Sequence, residues 1–463
     1  MVGHGLVEHR SLTDRMMQAR RRILVLDDDP TGSQTAAGVP IATDFSAESI
    51  EWVLREAAPT GFVLTNSRAL DAVTARELIG EITRTATEAA DHLGLDLSIV
   101  SRSDSTLRGH FPLEVDALAA ATEGAPAVVV LCPAYPAAGR ITRDGLHLVR
   151  AGTEWIPVGE TAYAGDATFG FTSSTLPDWI EERTHGRWPA REIRVLTLAD
   201  IRGGGPTGIA RIIGEAAAAR PPMPVCVDAE TEADLDIVAA GLELCEEDGV
   251  RTLVRCGPSL ARARGGLPHS VRASRHSLRS ALDRATGDHG LVVAGSHVAL
   301  TTAQLAHLDT LADITTVELP TTELLDPTRR QDAVDEAVRR SVDALRECDV
   351  VLRTGRTVQV GHDGADSLRI AAAVASALRS AAAAIVATTS PRWLVAKGGI
   401  TSADVVTDVL RMRRAKVLGP LLDGIVPVWV DESASGPLCV VFPGNVGGPE
   451  SLREAVTLLR ELD

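Results

Sequence analysis

The chain has 463 residues, 45% of them hydrophobic and 23% charged, a length for two or three domains and an ordinary globular composition, which excludes extended disorder, collagen-like repeats and coiled coil. Lys and Arg total 46 against 62 Asp and Glu, a net charge of −16, so nucleic acid and anionic membrane are not expected as partners, and an anionic ligand must be met by local positive groups. The six cysteines show no close metal-type spacing, and the N-terminal MVGHGLVEHRSLTDRMMQARRR has no apolar core of a secretory signal, so the expectation is a cytoplasmic protein with reduced thiols.

Short Val, Ile and Leu runs recur along the chain, separated by longer Ala-rich segments of helical spacing. The first set is RILVL from Arg22, FVLT from Phe62, LSIVS from Leu97, AVVVLC from Ala127, PVCVD from Pro224 and TLVRC from Thr252. The second is LVVAG from Leu291, DVVLRT from Asp349, AIVAT from Ala384, WLVAK from Trp393, PVWV from Pro427 and LCVVF from Leu438. Both sets read as buried parallel strands alternating with helices, an α/β class with mainly parallel sheets. The aperiodic Gly-, Pro-, Ser- and Arg-rich stretch Gly257–Ser277 separates them, giving domains 1–257 and 285–463. A β-rich insertion is expected around Thr153–Thr184. The Ala-rich run Ile370–Ala384, interrupted by Arg379, is too short to span a bilayer.

In open α/β sheets, ligands bind beyond the carboxyl ends of the strands, so the residues at the end of each apolar run are informative. The first run ends in Asp27-Asp28-Asp29-Pro30-Thr31-Gly32. Crowded carboxylates raise one another's pKa and suit a general base, a metal ligand or a hydroxyl acceptor, while a helix cap with a solvated acidic turn fits the spacing equally well. The next two runs end in Thr65-Asn66-Ser67-Arg68 and Ser101-Arg102-Ser103-Asp104-Ser105-Thr106-Leu107-Arg108-Gly109. Arginine forks match a carboxylate and the Ser, Thr and Asp side chains match sugar hydroxyls, so these loops describe a site for a small hydroxylated acid. Each arginine taken alone fits a surface salt bridge. The fourth run ends in a Pro-bracketed turn, Pro133 to Arg140, followed by Thr142, and Cys132 reads as a packed thiol.

The second half carries glycine in place of arginine after its strands: Gly295-Ser296, Gly398-Gly399-Ile400-Thr401-Ser402 and Gly444-Asn445-Val446-Gly447-Gly448. Glycine lets backbone approach a phosphate chain at a helix start, and it is also the default turn residue. With only two lysines, Lys397 and Lys416, no P-loop motif is present, and no G-x-G-x-x-G comes after the first strand, which counts against a dinucleotide-dependent reductase. Lys397 fits either a phosphate contact or a strand-end surface charge.

Together these residues resemble the four-carbon acid sugar kinases, which include 3-oxo-tetronate and threonate kinases, over most of the chain. An A-D-D-x-T-G motif is matched by Asp27 to Gly32 with Asp27 for Ala, D-S-R by Asn66-Ser67-Arg68, and D-S-T-L-R-G unaltered by Asp104 to Gly109. P-A-x-P-x-x-G-R is matched by Pro133 to Arg140, G-G-E-T-S by Gly398 to Ser402 with Ile400 for Glu, and S-G-N-x-G by Pro443 to Gly447. The resemblance implies an N-terminal sugar-acid domain and a C-terminal ATP domain that close on an interdomain active site, and Mg²⁺-ATP-dependent phosphorylation of a terminal hydroxyl. On this basis Arg68 and Arg108 would hold the substrate carboxylate, with Arg140 beside them, and Asp104, Ser105 and Thr106 its hydroxyls. Asp28 or Asp29 would orient or deprotonate the attacking hydroxyl. Ser296, Gly398, Gly399, Ile400, Thr401, Gly444, Asn445 and Gly447 would meet the nucleotide. No residues are assigned to the metal. A homodimer is compatible with the resemblance, and a nucleotide-binding sugar-acid sensor without turnover is the alternative that Ile400 raises.

Overall fold

The structure is a computed structural model that describes residues 16, 20–122, 127–269, 271–356, 362, 364–422, 424–433 and 436–462, with the side chains of 364–368 left aside. Most of the N-terminal stretch that lacks a secretory signal's apolar core lies outside the described residues. The chain divides into two compact units, Met1–Ser270 and Val271–Asp463.

The first unit is built on β1 (Arg21–Asp27), β2 (Val39–Ala42), β3 (Thr60–Leu64), β4 (Asp96–Arg102) and β5 (Val128–Cys132), then β6 (Arg140–Arg143), β7 (Leu146–Ala151) and β8 (Glu154–Pro157), and finally β9 (Arg194–Leu196), β10 (Val225–Val227) and β11 (Thr252–Cys256). Eight of them form a sheet in the order β2-β3-β1-β4-β11-β5-β10-β9, parallel throughout. The runs of Val, Ile and Leu in β1 and β5 are buried because helices cover both faces. Helix Ala72–Leu93 shows how the sequence sets such a cover. Asp71 caps its start through the amides of Val73 and Thr74, Gly94 ends it in a left-handed conformation, and Ala75, Ile79, Ile82, Ala86 and Ala90 make its buried stripe.

From β1 the chain turns to β2 and β3 on one side and then crosses to β4 on the other. The strand order therefore reverses at β1, and beyond its carboxyl end lies the place where open α/β sheets bind their ligands. Asp27 is in register with Leu64 and with Arg102, and Arg102 with Cys256, so the polar loops after β1, β3, β4 and β11 emerge side by side.

The second unit comprises β12 (Leu291–Ala294), β13 (Ile314–Leu319), β14 (Asp349–Thr354), β15 (Trp393–Lys397), β16 (Arg414–Pro420), β17 (Pro427–Asp431) and β18 (Leu438–Phe442), ordered β13-β14-β12-β15-β18-β17-β16. The first five are parallel, and β17 pairs antiparallel with both β16 and β18. The order reverses at β12, and the register Ala294 to Lys397 to Phe442 aligns the three glycine loops at one edge.

Four expectations are corrected. PVWV lies in a strand, but an antiparallel one. AIVAT is not a strand but the end of helix Gly364–Thr389, because Val374, Ala377, Leu378, Ala381, Ala382 and Ile385 repeat every three or four residues and bury one stripe, a helical period that the short apolar run concealed. That helix is also longer than the run read from sequence. Its segment Arg369–Thr389 is long and apolar enough to cross a membrane by length and composition, while the buried stripe packs within the unit. The insertion begins earlier than Thr153: β6, β7 and β8 form a separate antiparallel sheet from Arg140 to Pro157, and helix Leu176–Arg183 comes after it.

Candidate active site

In the first unit the three consecutive aspartates are buried. Arg102, at the end of β4, donates from Nη1 to Asp27 Oδ1 at 2.8 Å and to Asp28 Oδ1 at 3.0 Å. Arg68 pairs with Asp29 Oδ2, and its other Nη lies 3.6 Å from Asp104 and 3.9 Å from Asp28. Asp29 also accepts the amide of Thr31 at 2.8 Å. Burial raises the Asp28 carboxyl against the pull of Arg68 and Arg102, whereas at Asp29 these arginines outweigh burial and hold the carboxyl low. Burial carries Asp27 up to about 7, with Arg102 opposing. Asp28 Oδ2 is buried and has no hydrogen-bond partner. Asp27 Oδ2 is likewise buried without a hydrogen-bond partner, but Gly32 is packed against it, where a Cβ would stand 2.2 Å away, whereas the nearest approach of Gly109 to Asp28 Oδ2 leaves ordinary contact distance, so Asp28 is the one an incoming hydroxyl can serve.

The D-S-T-L-R-G loop turns back on itself through Asp104, whose Oδ2 accepts from the Thr106 hydroxyl at 2.5 Å and from Arg108 Nε at 2.6 Å. The neighbouring Arg108 and Arg68 overcome burial and hold Asp104 well below the usual carboxylate range. Leu107 at φ 69° and Gly109 at φ 122° make the turn left-handed, and Asn66 at φ 49° does the same after β3. A Cβ on Gly109 would stand 3.5 Å from Asp28 Oδ2, so this glycine keeps the space in front of that oxygen open. Arg68 and Arg108 keep 20% and 24% of their side chains exposed although both are paired with aspartates.

Arg140 is buried and donates to the carbonyl of Ala138 at 2.7 Å, and its Nε has no partner. Beside it, His147 on β7 donates Nε2–H to the carbonyl of Ser105 at 2.7 Å and accepts the Thr142 hydroxyl at Nδ1, 2.9 Å away. Asp28, Asp29, Arg68, Asp104, Ser105, Thr106 and Arg108 are therefore joined in one group, and Arg140 is next to it.

Several members were not singled out as site residues from sequence. Arg102 stood in the quoted loop without an assigned role. Glu114 accepts the Ser67 hydroxyl at 2.8 Å and is raised by burial and by Asp28 to about 7. Arg255 lies with its guanidinium 5.4 Å from the ring centres of both Phe111 and Trp179. An arginine inside the apolar run TLVRC was the available signal.

In the second unit three loops meet at Ser296. A Cβ on Gly398, whose φ is 114°, would lie 3.0 Å from Ser296 Cβ, and one on Gly444 would lie 3.1 Å from Ser296 Oγ. Side chains at either position would force the loops apart. Thr301 and Gln304, neither singled out from sequence, tie the third loop to helix Ala299–Leu308: Thr301 donates to the carbonyl of Gly444 at 3.2 Å, and Gln304 to those of Val446 and Gly448 at 3.1 and 2.8 Å. Thr401 is buried, Asn445 half-buried, Gly447 exposed, and Ile400 is 68% exposed at the start of helix Gly399–Asp404, which no side chain caps. Lys397 has no exposed surface; it donates to the carbonyl of Pro443 at 2.5 Å, and burial lowers it to about 7. The reading of Lys397 as a surface charge is thereby excluded. After β14, Arg356 donates to the carbonyl of Ser296 at 2.7 Å and to the Thr302 hydroxyl at 2.6 Å.

Residues 23–264 match the family described as Sugar-binding N-terminal domain, and residues 291–452 the one described as Nucleotide-binding C-terminal domain. Among curated proteins the chain is similar to D-threonate kinase of Bordetella bronchiseptica, 32% identical over 227 residues, 47% of this chain and 49% of that protein. It is also similar to D-erythronate kinase of Heliobacterium modesticaldum, 25% identical over 336 residues, 71% of this chain and 70% of that one. The match thus spans about half the length of the first relative. Solved chains from Salmonella typhimurium LT2 (TM-score 0.67, 17% identity, 94% of this chain and 98% of that one) and Haemophilus influenzae (0.60, 16%, 94% and 99%) share the fold.

Proposed function

Because the chain belongs to the four-carbon acid sugar kinase family, we propose that it transfers the terminal phosphoryl group of ATP to a hydroxyl of a short sugar acid such as threonate, erythronate or their oxo forms. The observation that carries the reading is Asp28, whose buried Oδ2 accepts no hydrogen bond, set among Arg68, Arg102 and the Asp104 loop in the part of the chain matched as sugar-binding. As the acceptor oxygen attacks phosphorus, its O–H bond breaks and the proton passes to Asp28, while ADP leaves. Asp29 is the weaker base of the two, because Arg68 and the Thr31 amide already occupy its oxygens. Arg68, Arg108 and Arg140 meet the substrate carboxylate, and Asp104, Ser105 and Thr106 its hydroxyls.

The glycine loops fit a triphosphate: Gly398 and Gly444 approach Ser296 too closely for a side chain, so the three loops meet through backbone and small side chains. Mg²⁺-ATP supplies the phosphoryl group and neutralises charge on the phosphate oxygens. Among the described residues no group of three or more His, Cys, Asp or Glu is placed to hold a metal ion. The reading includes a cytoplasmic location, supported by free thiols of which five are buried, and a homodimer, which sedimentation would test.

The test is ADP release with Mg²⁺-ATP across threonate, erythronate, their 2- and 3-oxo forms and branched apionate-type acids, with product masses recorded. A phosphoryl mass gain on one acid supports the reading. ATP binding without release on every acid would overturn turnover and leave a sensor.

A further inference from the structure

We infer that Arg356 is a phosphate-contacting residue of the second unit, meeting the β- and γ-phosphoryl oxygens of a nucleoside di- or triphosphate held by the three glycine loops. The inference rests on the reading of this unit as a nucleotide site.

Arg356 lies two residues beyond β14. Ala294 is in register with Arg353, so the turn Gly355-Arg356 emerges beside the turn Gly295-Ser296. Its Nη1 donates to the Ser296 carbonyl at 2.7 Å and its Nη2 to the Thr302 hydroxyl at 2.6 Å. The guanidinium therefore lies against the residue on which Gly398 and Gly444 converge. A guanidinium has five N–H groups, and these two bonds leave three, among them a buried Nε–H with no partner.

Among the described residues no carboxylate lies within ion-pair distance of Arg356. The nearby Arg353 takes the acidic side chains instead, pairing with Asp309 at 3.1 Å and Glu318 at 3.2 Å. Burial and the charge of Arg353 both disfavour the Arg356 cation, with Glu318 opposing, and His297 is pushed down by burial and by Arg356 in turn. Lys397 does not compete for the role, since it is buried and committed to the Pro443 carbonyl. A half-buried arginine with no ion pair among the described residues, fastened to a turn in a glycine-lined cluster, is completed by a phosphate group.

The experiment measures binding of ATP, ADP, AMP and adenosine to the full chain by calorimetry, for the wild type, Arg356→Lys and Arg356→Gln, with thermal melts to show that each variant is folded. Arg356→Gln should weaken ATP and ADP about ten- to a hundredfold and leave adenosine within about twofold, and Arg356→Lys should recover part of the loss. Equal losses for adenosine and ATP would mean that Arg356 only straps the Ser296 turn, and unchanged ATP affinity would remove it from the site; either result overturns the inference alone. A wild type that binds none of the four would overturn the nucleotide reading itself.

Discussion

The Nε2–H of His147 lies 2.7 Å from the carbonyl oxygen of Ser105, so a histidine on the small antiparallel sheet fixes the backbone of the loop that carries Asp104 and Arg108. With the Thr142 hydroxyl donating to Nδ1, the ring is neutral, and burial lowers its pKa from 6.5 to about 4. Between these values the unfolded chain binds a proton that the folded protein refuses. This contribution is therefore complete above pH 6.5 and is lost as pH falls towards 4, by about 2 kcal/mol at pH 5. Asp27 and Glu114, both raised by burial, act in the opposite sense, so the difference between wild type and His147→Gln isolates the histidine. Urea midpoints from pH 4.5 to 8 should show a shallower fall on the acid side for the variant; identical slopes would contradict a buried neutral ring.

Asp28→Asn should lower kcat by about 10²- to 10⁴-fold while ATP affinity stays within about twofold. Steady-state kinetics and calorimetry together decide this. If kcat survives in Asp28→Asn and collapses in Asp29→Asn, the base is Asp29.

Gly32 has no room for a side chain, because its Cβ would stand 2.0 Å from Asp27 Oδ1 and Arg102 holds that carboxylate in place. Gly32→Ala should cost about 1–3 kcal/mol in stability, read as a lower urea midpoint. An unchanged midpoint would mean that the aspartate cluster can shift.

Ile400 is 68% exposed and packs little, so Ile400→Glu should change stability by less than about 0.5 kcal/mol. The added carboxylate should tighten binding of Mg²⁺-ATP relative to ATP without metal. A ratio equal to that of the wild type would place residue 400 away from the phosphates.

The sheet layers and polar strand ends were legible because an abrupt change from Val and Ile to Asp, Arg and Ser marks where a buried strand leaves the core. DSTLRG after LSIVS and GGITS after WLVAK are the clearest cases. Short or mixed strands such as Val39–Ala42, Arg194–Leu196 and Ile314–Leu319 escaped notice, since three to six residues with interspersed Pro, Arg or Thr carry no firm period. Glu114, His147 and Gln304 were illegible as site residues for another reason. Each sits inside a regular helix or strand, and its role comes from partners about 40 to 150 residues away, which no local pattern encodes.

The burial of Lys397 has a practical use. The chain has two lysines, and of these only Lys416 is exposed. An amine-directed reagent should therefore mark the folded protein at Lys416 alone among its lysine side chains. Modification of Lys397 would report each opening of the β15 strand end, and slower labelling in the presence of a ligand would measure directly how firmly that ligand closes the glycine loops above it.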